Sequence, residues 1–552
     1  MKQLGALNLR LLANDLESDE LCLEGASNCE GIARYLAGHL NERTHILELE
    51  EAEGFFQGLG QVWTSLATSF DPSAKDISRY ASEDSRIQLA LGLAKMERNL
   101  VAGLLPFQSE AFKHEREIRR FIFNITTFVR IEDCRFFAIH AIATQLLSNV
   151  LAPVNSSVAA TRHADAALRI YMSGNREDDI IIRLLDSRDP KTNHATLHLL
   201  NNLTRNSLPR LEMLLTPTGI KWLAQLLGRM DEWLDKEDNC FDLTASIFTS
   251  IISFSLHPRL FQLLSEPSEP ITPSQTVLLK ILDSALSSLP ASSPSPPVEN
   301  YPNSFLHPLF NNLIQSSLPS LTQKADDPRL PKYLEGLVLV SEALGTIGLR
   351  VQERIDKATA PGADREDVEL QMQGGEEQLV KAIKEPRSGI VRPLIGTAVD
   401  IGHLRGRHHT NAKSDMLRAL NDYFPRTNPR NPSPATTTTA VPPELKPFSN
   451  LKRDLVRLLG VLTFSDTRVG DQVRECEGVQ LVLSLTEIDE GNPFLREHAL
   501  FCVRNLMLNN PANQAIIKEM DPIGVLSETG ELLPVPEKMK KKSTEATITE
   551  EK

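Results

Sequence analysis

Apolar residues recur at three- and four-residue steps along most of this chain. In Arg116–Ile131, Ile118, Phe121, Ile122 and Ile125 fall at i, i+3, i+4 and i+7, which places them on one buried helical face. The same period runs densely through residues 86–264, resumes at Tyr333–Leu349, and returns from Phe448 to about Val525. Residues 1–70 carry weaker helical patterns. The period fails in a few places. Residues 265–304 contain EPSEPITPSQ and LPASSPSPPVENYP around a short helical piece at Val277–Leu289. Residues 356–376 are acidic and contain Gly374-Gly375, and residues 428–447 are rich in Pro and Thr. Such compositions bury little and predict loops or linkers. The expected organisation is therefore helical repeats over 1–264, a Pro/Ser-rich linker with a short helix over 265–304, and further helical repeats with an acidic loop over 305–427. A linker over 428–447, a C-terminal domain over 448–525 and a disordered tail over 526–552 complete it.

Two short signatures repeat inside the helical regions. One is aliphatic–x–Asn–aliphatic, at Asn124, Asn149, Asn202 and Asn505, with a weaker copy at Asn99. The other is Gly–aliphatic–x–x–Leu, at Gly219 and Gly478. Asn99, Asn124 and Asn149 are too closely spaced for whole repeats, so the register stays open. Gly478–Glu519 reads as one complete unit of about 40 residues, the length of an armadillo or HEAT repeat. Asn492-Pro493 and Asn510-Pro511 each resemble an N-cap followed by Pro at the first helical position. Ala499, Cys502, Val503 and Leu506 then form a buried face. The fold class is all-α: an armadillo/HEAT-like α-solenoid with disordered Pro/Ser-rich insertions. Single repeats cannot cover their own apolar faces, so stacking supplies the core.

Phe501, Arg504 and Asn505 are the candidate partner-binding residues on the inner surface of this C-terminal unit. An Asn amide there either bonds a partner's backbone or only the neighbouring repeat, and Phe501 either meets a partner or fills the space between repeats.

The segment also resembles the C-terminal domain of the ataxin-10 family. The resemblance rests on Phe448–Leu455, Gly478–Leu485, Ile488–Ala499 (IDEGNPFLREHA), Arg504-Asn505-Leu506 and Asn510–Gln514. One departure is Leu459-Gly460-Val461-Leu462, where the family tends to have Asn at the third place. The resemblance implies a non-catalytic, armadillo-like cytoplasmic scaffold that binds other proteins and takes part in regulating cytokinesis and cell division. A transport adaptor binding basic peptides in an armadillo groove is an alternative, and it predicts an acidic inner surface. An indirect role in copper homeostasis is another.

Charge and chemistry change this picture little. With 59 basic and 72 acidic residues the net charge is −13, which speaks against a free nucleic-acid binder. The one dense basic run, Lys538 and Lys540–Lys542, is near the C-terminal end. Six scattered cysteines lack CxxC spacing, which suits a reducing compartment. No stretch has the length and apolarity of a membrane span. His194 and His198 are four apart in HATLH, without the Glu of a HExxH site, and His403, His408 and His409 lie among arginines. Neither group predicts a metal, no phosphate loop or nucleophile elbow occurs, and no cofactor is expected. The oligomeric state is left open.

Overall fold

A computed structural model describes residues 9–39, 41–43, 52–73, 79–154, 158–290, 293–299, 301–358, 374–396, 415–426, 441–519, 525–526 and 532–533. His403, His408, His409 and the basic run at 538–542 lie outside them, as does most of the acidic, Pro/Thr-rich and C-terminal segments. The described chain is helical apart from a two-residue antiparallel pairing of Val525–Leu526 with Leu532–Leu533. It forms two compact units, 1–289 and 290–552. The boundary falls inside the Pro/Ser-rich stretch. No single described helix is long and apolar enough to cross a membrane.

In the first unit the helices that carry the stack are α1 (Asp19–Gly38), α2 (Ala52–Ser69), α3 (Glu83–Val101), α4 (Glu115–Ile125), α5 (Cys134–Val150), α6 (Pro190–Thr204) and α7 (Cys240–Ser253). One layer runs α1, α3, α5, α6, α7, each helix packing on the next, while α2 and α4 pair in a second layer. On α4 the apolar stripe read from the sequence is fully buried at Ile118, Phe121, Ile122 and Ile125. Local signals start these helices. Ser18, Ser82, Asp133 and Asp189 each accept from a first-turn amide, and Pro190 sits where a missing N–H costs nothing.

In the second unit the layer is α8 (Leu330–Ala358), α10 (Leu451–Thr463) and α11 (Leu495–Met507), with α9 (Gly375–Ile383) against α8 and α12 (Pro511–Glu519) after α11. Each unit is thus an all-α solenoid stack.

The aliphatic–x–Asn–aliphatic signature turns out to be the tie between successive helices. Asn99 Nδ2 on α3 donates to the Ala33 carbonyl on α1 at 2.9 Å. Asn149 on α5 donates to Arg98 on α3 at 3.1 Å, and Asn202 on α6 to Ser148 on α5 at 3.1 Å. Asn505 on α11 donates to Gly460 on α10 at 2.8 Å. Asn124 makes the same bond in the second layer, from α4 to Ala67 on α2, at 2.7 Å. Within the first layer each acceptor immediately precedes the matching position on its own helix: Arg98 before Asn99, Ser148 before Asn149. Arg98, Ser148 and Gly460 fall in the last four residues of their helices, where carbonyls lack an intrahelical N–H donor, though Gly460 also accepts from the Thr463 hydroxyl. The side-chain amide of the next helix supplies it.

The same spacing sets the turn. Asn206, Ser465 and Asn509 have φ of 51°, 48° and 53°, and Gly103 has φ of 71°. Each stands four residues after a position of this ladder: Asn202, Val461, Asn505 and Asn99. The left-handed residue ends one helix and lets the next begin within two residues, as at Asn206 before Leu208 and Asn509 before Pro511.

Three local expectations change. The Val277–Leu289 piece is a longer helix, Pro273–Ser288, with a Thr272/Gln275 capping box and Leu278, Leu279, Leu282 and Leu286 buried. Its proline stands at the first turn, where it starts a helix rather than breaking one. Pro443–Asn450, at the end of the Pro/Thr-rich stretch, winds as a 3₁₀ helix into α10. Asn492-Pro493 does not start α11, which begins at Leu495 without a side-chain cap. The Asn492 amide donates instead to Ser449 at 3.0 Å. Asn510 does cap α12, accepting from the Asn513 amide at 3.0 Å.

Replacing Asn149 with Ala removes one inter-helix bond, and replacing Asn202 removes two, to the Ser148 carbonyl and hydroxyl; either leaves a helix-end carbonyl unpaired. Each should cost about 1–3 kcal/mol. Urea unfolding of the full chain checks this, with Asn201→Ala, whose amide bonds Leu197 and Leu243, as a comparison.

Candidate partner-binding face

α10 and α11 lie side by side in register. Arg453 and Arg457 are four apart on α10 and share a face with Gly460. Against it stand His498, near Arg457 and Arg453, and Phe501, over Gly460, and Arg504 follows Phe501 by three residues on α11. A Cβ at Gly460 would come within 2.7 Å of the Phe501 ring, so glycine is what lets the ring lie against the α10 backbone. His498 is half-buried and held below its ordinary pKa, first by burial and then by the charges of Arg457 and Arg453. The carboxylates of Asp454 and Glu497 act the other way on it. The imidazole therefore stays neutral at pH 7 and adds no positive charge.

The three candidate residues do not share one environment. Asn505 is buried, with its amide nitrogen given to Gly460. Phe501 is half-buried against Gly460, and Arg504 is exposed. The intended apolar face is buried at Ala499, Cys502 and Leu506, while Val503 is half-buried. Arg453 donates to Asp454 at 2.7 Å. No described carboxylate pairs with Arg457 or Arg504. Sequence reasoning passed over Arg453 and Arg457. Their signal was two arginines at i,i+4 on a helix that is otherwise apolar from Leu455 to Leu462.

Val461, the departure noted above, occupies the ladder position of α10. It is buried, and its Cγ1 lies 2.7 Å from where a Cβ on Gly348 of α8 would be. An apolar contact replaces the amide tie at this step of the stack.

Much of the motif behind the resemblance is internal wiring. Lys452 is buried, donates to the Phe424 carbonyl at 2.8 Å and stands 3.5 Å from Asp489. Burial lowers its pKa, and Asp489 opposes the shift. Asn513 is buried and donates to Gly470 and Leu506 at 3.2 and 2.9 Å.

Residues 451–547 match the family described as the Spinocerebellar ataxia type 10 protein domain. The chain carries the C-terminal domain of the ataxin-10 family. The chain is 42% identical across 74 residues to an Ataxin-10 homolog of Kluyveromyces lactis, covering 13% of this chain and 14% of that one. It is 38% identical across 74 residues to Ataxin-10 of Xenopus tropicalis, covering 13% and 15%. Against Ataxin-10 of Homo sapiens it is 34% identical across 77 residues, covering 14% and 16%. The match thus spans about a seventh of the length of these relatives. Among solved structures, the SYS-1/POP-1 crystal complex aligns with a TM-score of 0.37 and 11% identity, over 92% of this chain and 85% of that one. The stacking of the helices themselves defines the architecture.

Elsewhere, among the described residues, no three His, Cys, Asp or Glu side chains come together as a metal site. His194 and His198 meet edge-on at 4.5 Å, and burial, then His194, keeps the His198 pKa low. A cavity of about 680 Å³ in the second unit is lined by Tyr423, several prolines, and Asp326, Asp327 and Glu444. Hydrogen bonding to Arg329 is the main influence holding Asp327 ionised, which suits an ion pair rather than a general acid.

Arg504→Glu should leave the thermal midpoint within about 1 °C, since exposed substitutions rarely move stability by more than about 0.5 kcal/mol. Asn505→Ala should lower it clearly by breaking the tie to Gly460. Differential scanning calorimetry of the two variants separates surface from scaffold.

Proposed function

We propose that the chain is a non-catalytic protein-interaction scaffold whose ataxin-10 domain receives acidic segments of partner proteins on the Arg453–Arg457–Phe501–Arg504 face. The observation that carries this reading is the division of labour on α10 and α11. The Asn505 amide is spent inside the stack, while Arg457 and Arg504 have no described carboxylate partner in a chain of net charge −13. A local cationic face on an acidic protein attracts acidic ligands, and the remaining surface repels unselective ones. Phe501 adds an apolar ring between the charges, a combination enriched at binding hot spots.

The basic-peptide adaptor calls for an acidic inner surface, so this face favours the opposite ligand. A role in cytokinesis and cell division is proposed on the likeness to ataxin-10 proteins alone. The cytoplasm is proposed as its place, supported by cysteines that are all free thiols, five of them buried.

The test uses the immobilised full chain and a cytosolic extract. Proteins retained by the wild type should elute with polyglutamate rather than polylysine. They should be lost from a chain ending at Pro447 and from Arg457→Glu/Arg504→Glu. Elution by polylysine would hand the reading to the basic-peptide adaptor. Retention unchanged in the double variant would move the site off this face.

A further inference from the structure

Gly374-Gly375 opens α9, and the two missing side chains make room for a distant segment of the chain. The N-cap of α9 is Gly374, which has no side chain to offer the first-turn amides. A residue 81 positions earlier than Glu376 takes that role: Ser295 Oγ accepts from the Glu376 amide at 3.1 Å. The Pro296 carbonyl accepts from the Gly375 amide at 2.7 Å. The fit is tight. A Cβ at Gly374 would stand 2.1 Å from Ser295 Oγ and 2.6 Å from Glu377 Oε2, and one at Gly375 would stand 2.6 Å from the Tyr301 ring.

Beneath the strap lies a buried ion cluster. Arg350 pairs with Glu376. Arg354 pairs with Glu376 at 2.5 Å and Glu377 at 2.8 Å, and it donates to the Ser293 carbonyl at 3.3 Å. Both guanidinium groups are committed to these carboxylates. Glu377 Oε2 has no hydrogen-bond partner among the described residues and lies beside the Ser295 pocket.

We propose that Ser295 is a phosphorylation site that releases this strap. It stands in Ser293-Pro294-Ser295-Pro296, two consecutive Ser-Pro units of the kind that proline-directed kinases accept. With the segment lifted, Ser295 Oγ attacks the γ-phosphorus of ATP. The bond from that phosphorus to the β–γ bridging oxygen breaks, ADP leaves, and the hydroxyl proton passes to the kinase's base. The phosphoserine carries a charge of about −2 near pH 7. It cannot return to the same seat, because Ser295 Oγ already fills the place a Cβ at Gly374 would take, with Glu377 Oε2 beside that place, and the phosphorylated oxygen is no longer free to accept from the Glu376 amide as before. Glu377 Oε2, beside the hydroxyl's seat, has no hydrogen-bond partner among the described residues and meets the added negative charge with its own. The attraction of an anion to the start of α9 is real, but it acts only where the anion fits. Release uncaps α9 and exposes the Gly375 and Glu376 amides.

The test uses the full chain carrying Ser293→Ala, a purified proline-directed kinase and ATP. Phosphate should enter Ser295, and amide exchange over residues 375–378 should rise about tenfold, reversing with phosphatase. Ser295→Ala, which lacks both acceptor and phosphate, should show a smaller rise and no response to the kinase. Three results would overturn the proposal. One is phosphorylated Ser295 with unchanged exchange. Another is no phosphate at Ser295 while a synthetic 290–300 peptide is modified. The third is a kinase response of equal size in Ser295→Ala.

Discussion

The bond from an asparagine amide to the end of the preceding helix is the constraint on which this architecture turns. A helix in a solenoid has two unmet needs: an apolar face that it cannot cover alone, and a last turn of carbonyls without donors. Packing α5 on α3 and α6 on α5 meets the first. Asn149 and Asn202 meet the second, and in doing so they fix how far each helix slides along its neighbour. The left-handed residue four positions later then turns the chain towards the next helix. Position, tie and turn form one device, used in both units at Asn202/Asn206 and Asn505/Asn509.

That device governs the proposed binding face as well. On α11 the Asn505 amide nitrogen is taken up by the scaffold, which leaves Phe501 and Arg504 for the recognition proposed above. Gly460 lets the Phe501 ring lie against the α10 backbone, while Arg504 stays exposed. Lys452 with Asp489 and Asn492 with Ser449 lock the two halves of the ataxin-10 domain from within. Lys452, Asn492, Asn505 and Asn513 of the motif are spent inside the fold, and the surface proposed for binding is made of Arg457 and Arg504 beside Phe501. Val461 shows that one tie of the ladder can be exchanged for apolar contact where a small residue, Gly348, faces it.

The strap at Ser295 extends the same economy of caps. A helix end that lacks its own side-chain cap takes one from elsewhere in the chain, as α9 does from Ser295 and the last turns of α3, α5 and α10 do from asparagines. A cap borrowed over 81 residues is held by few local contacts, and its occupancy can therefore be controlled independently of the helix it serves.

The amino-acid pattern by itself determined the helices and their buried stripes. Ile118, Phe121, Ile122 and Ile125 lie inside as their spacing requires, because a 3.6-residue period leaves one face apolar whatever surrounds it. It also determined the start of α12 at Asn510-Pro511, a cap made within four residues, and the ataxin-10 character of the C-terminal segment. Only the tertiary structure decided the repeat register, the roles of Asn492 and Asn505, and the meeting of Arg453 and Arg457 with His498. It alone placed Ser295 at the head of α9. Each of these rests on a partner more than 40 residues away. A short polar side chain carries the same local preference whether it caps its own helix or ties another, and only the packed neighbour settles which carbonyl or amide lies within reach.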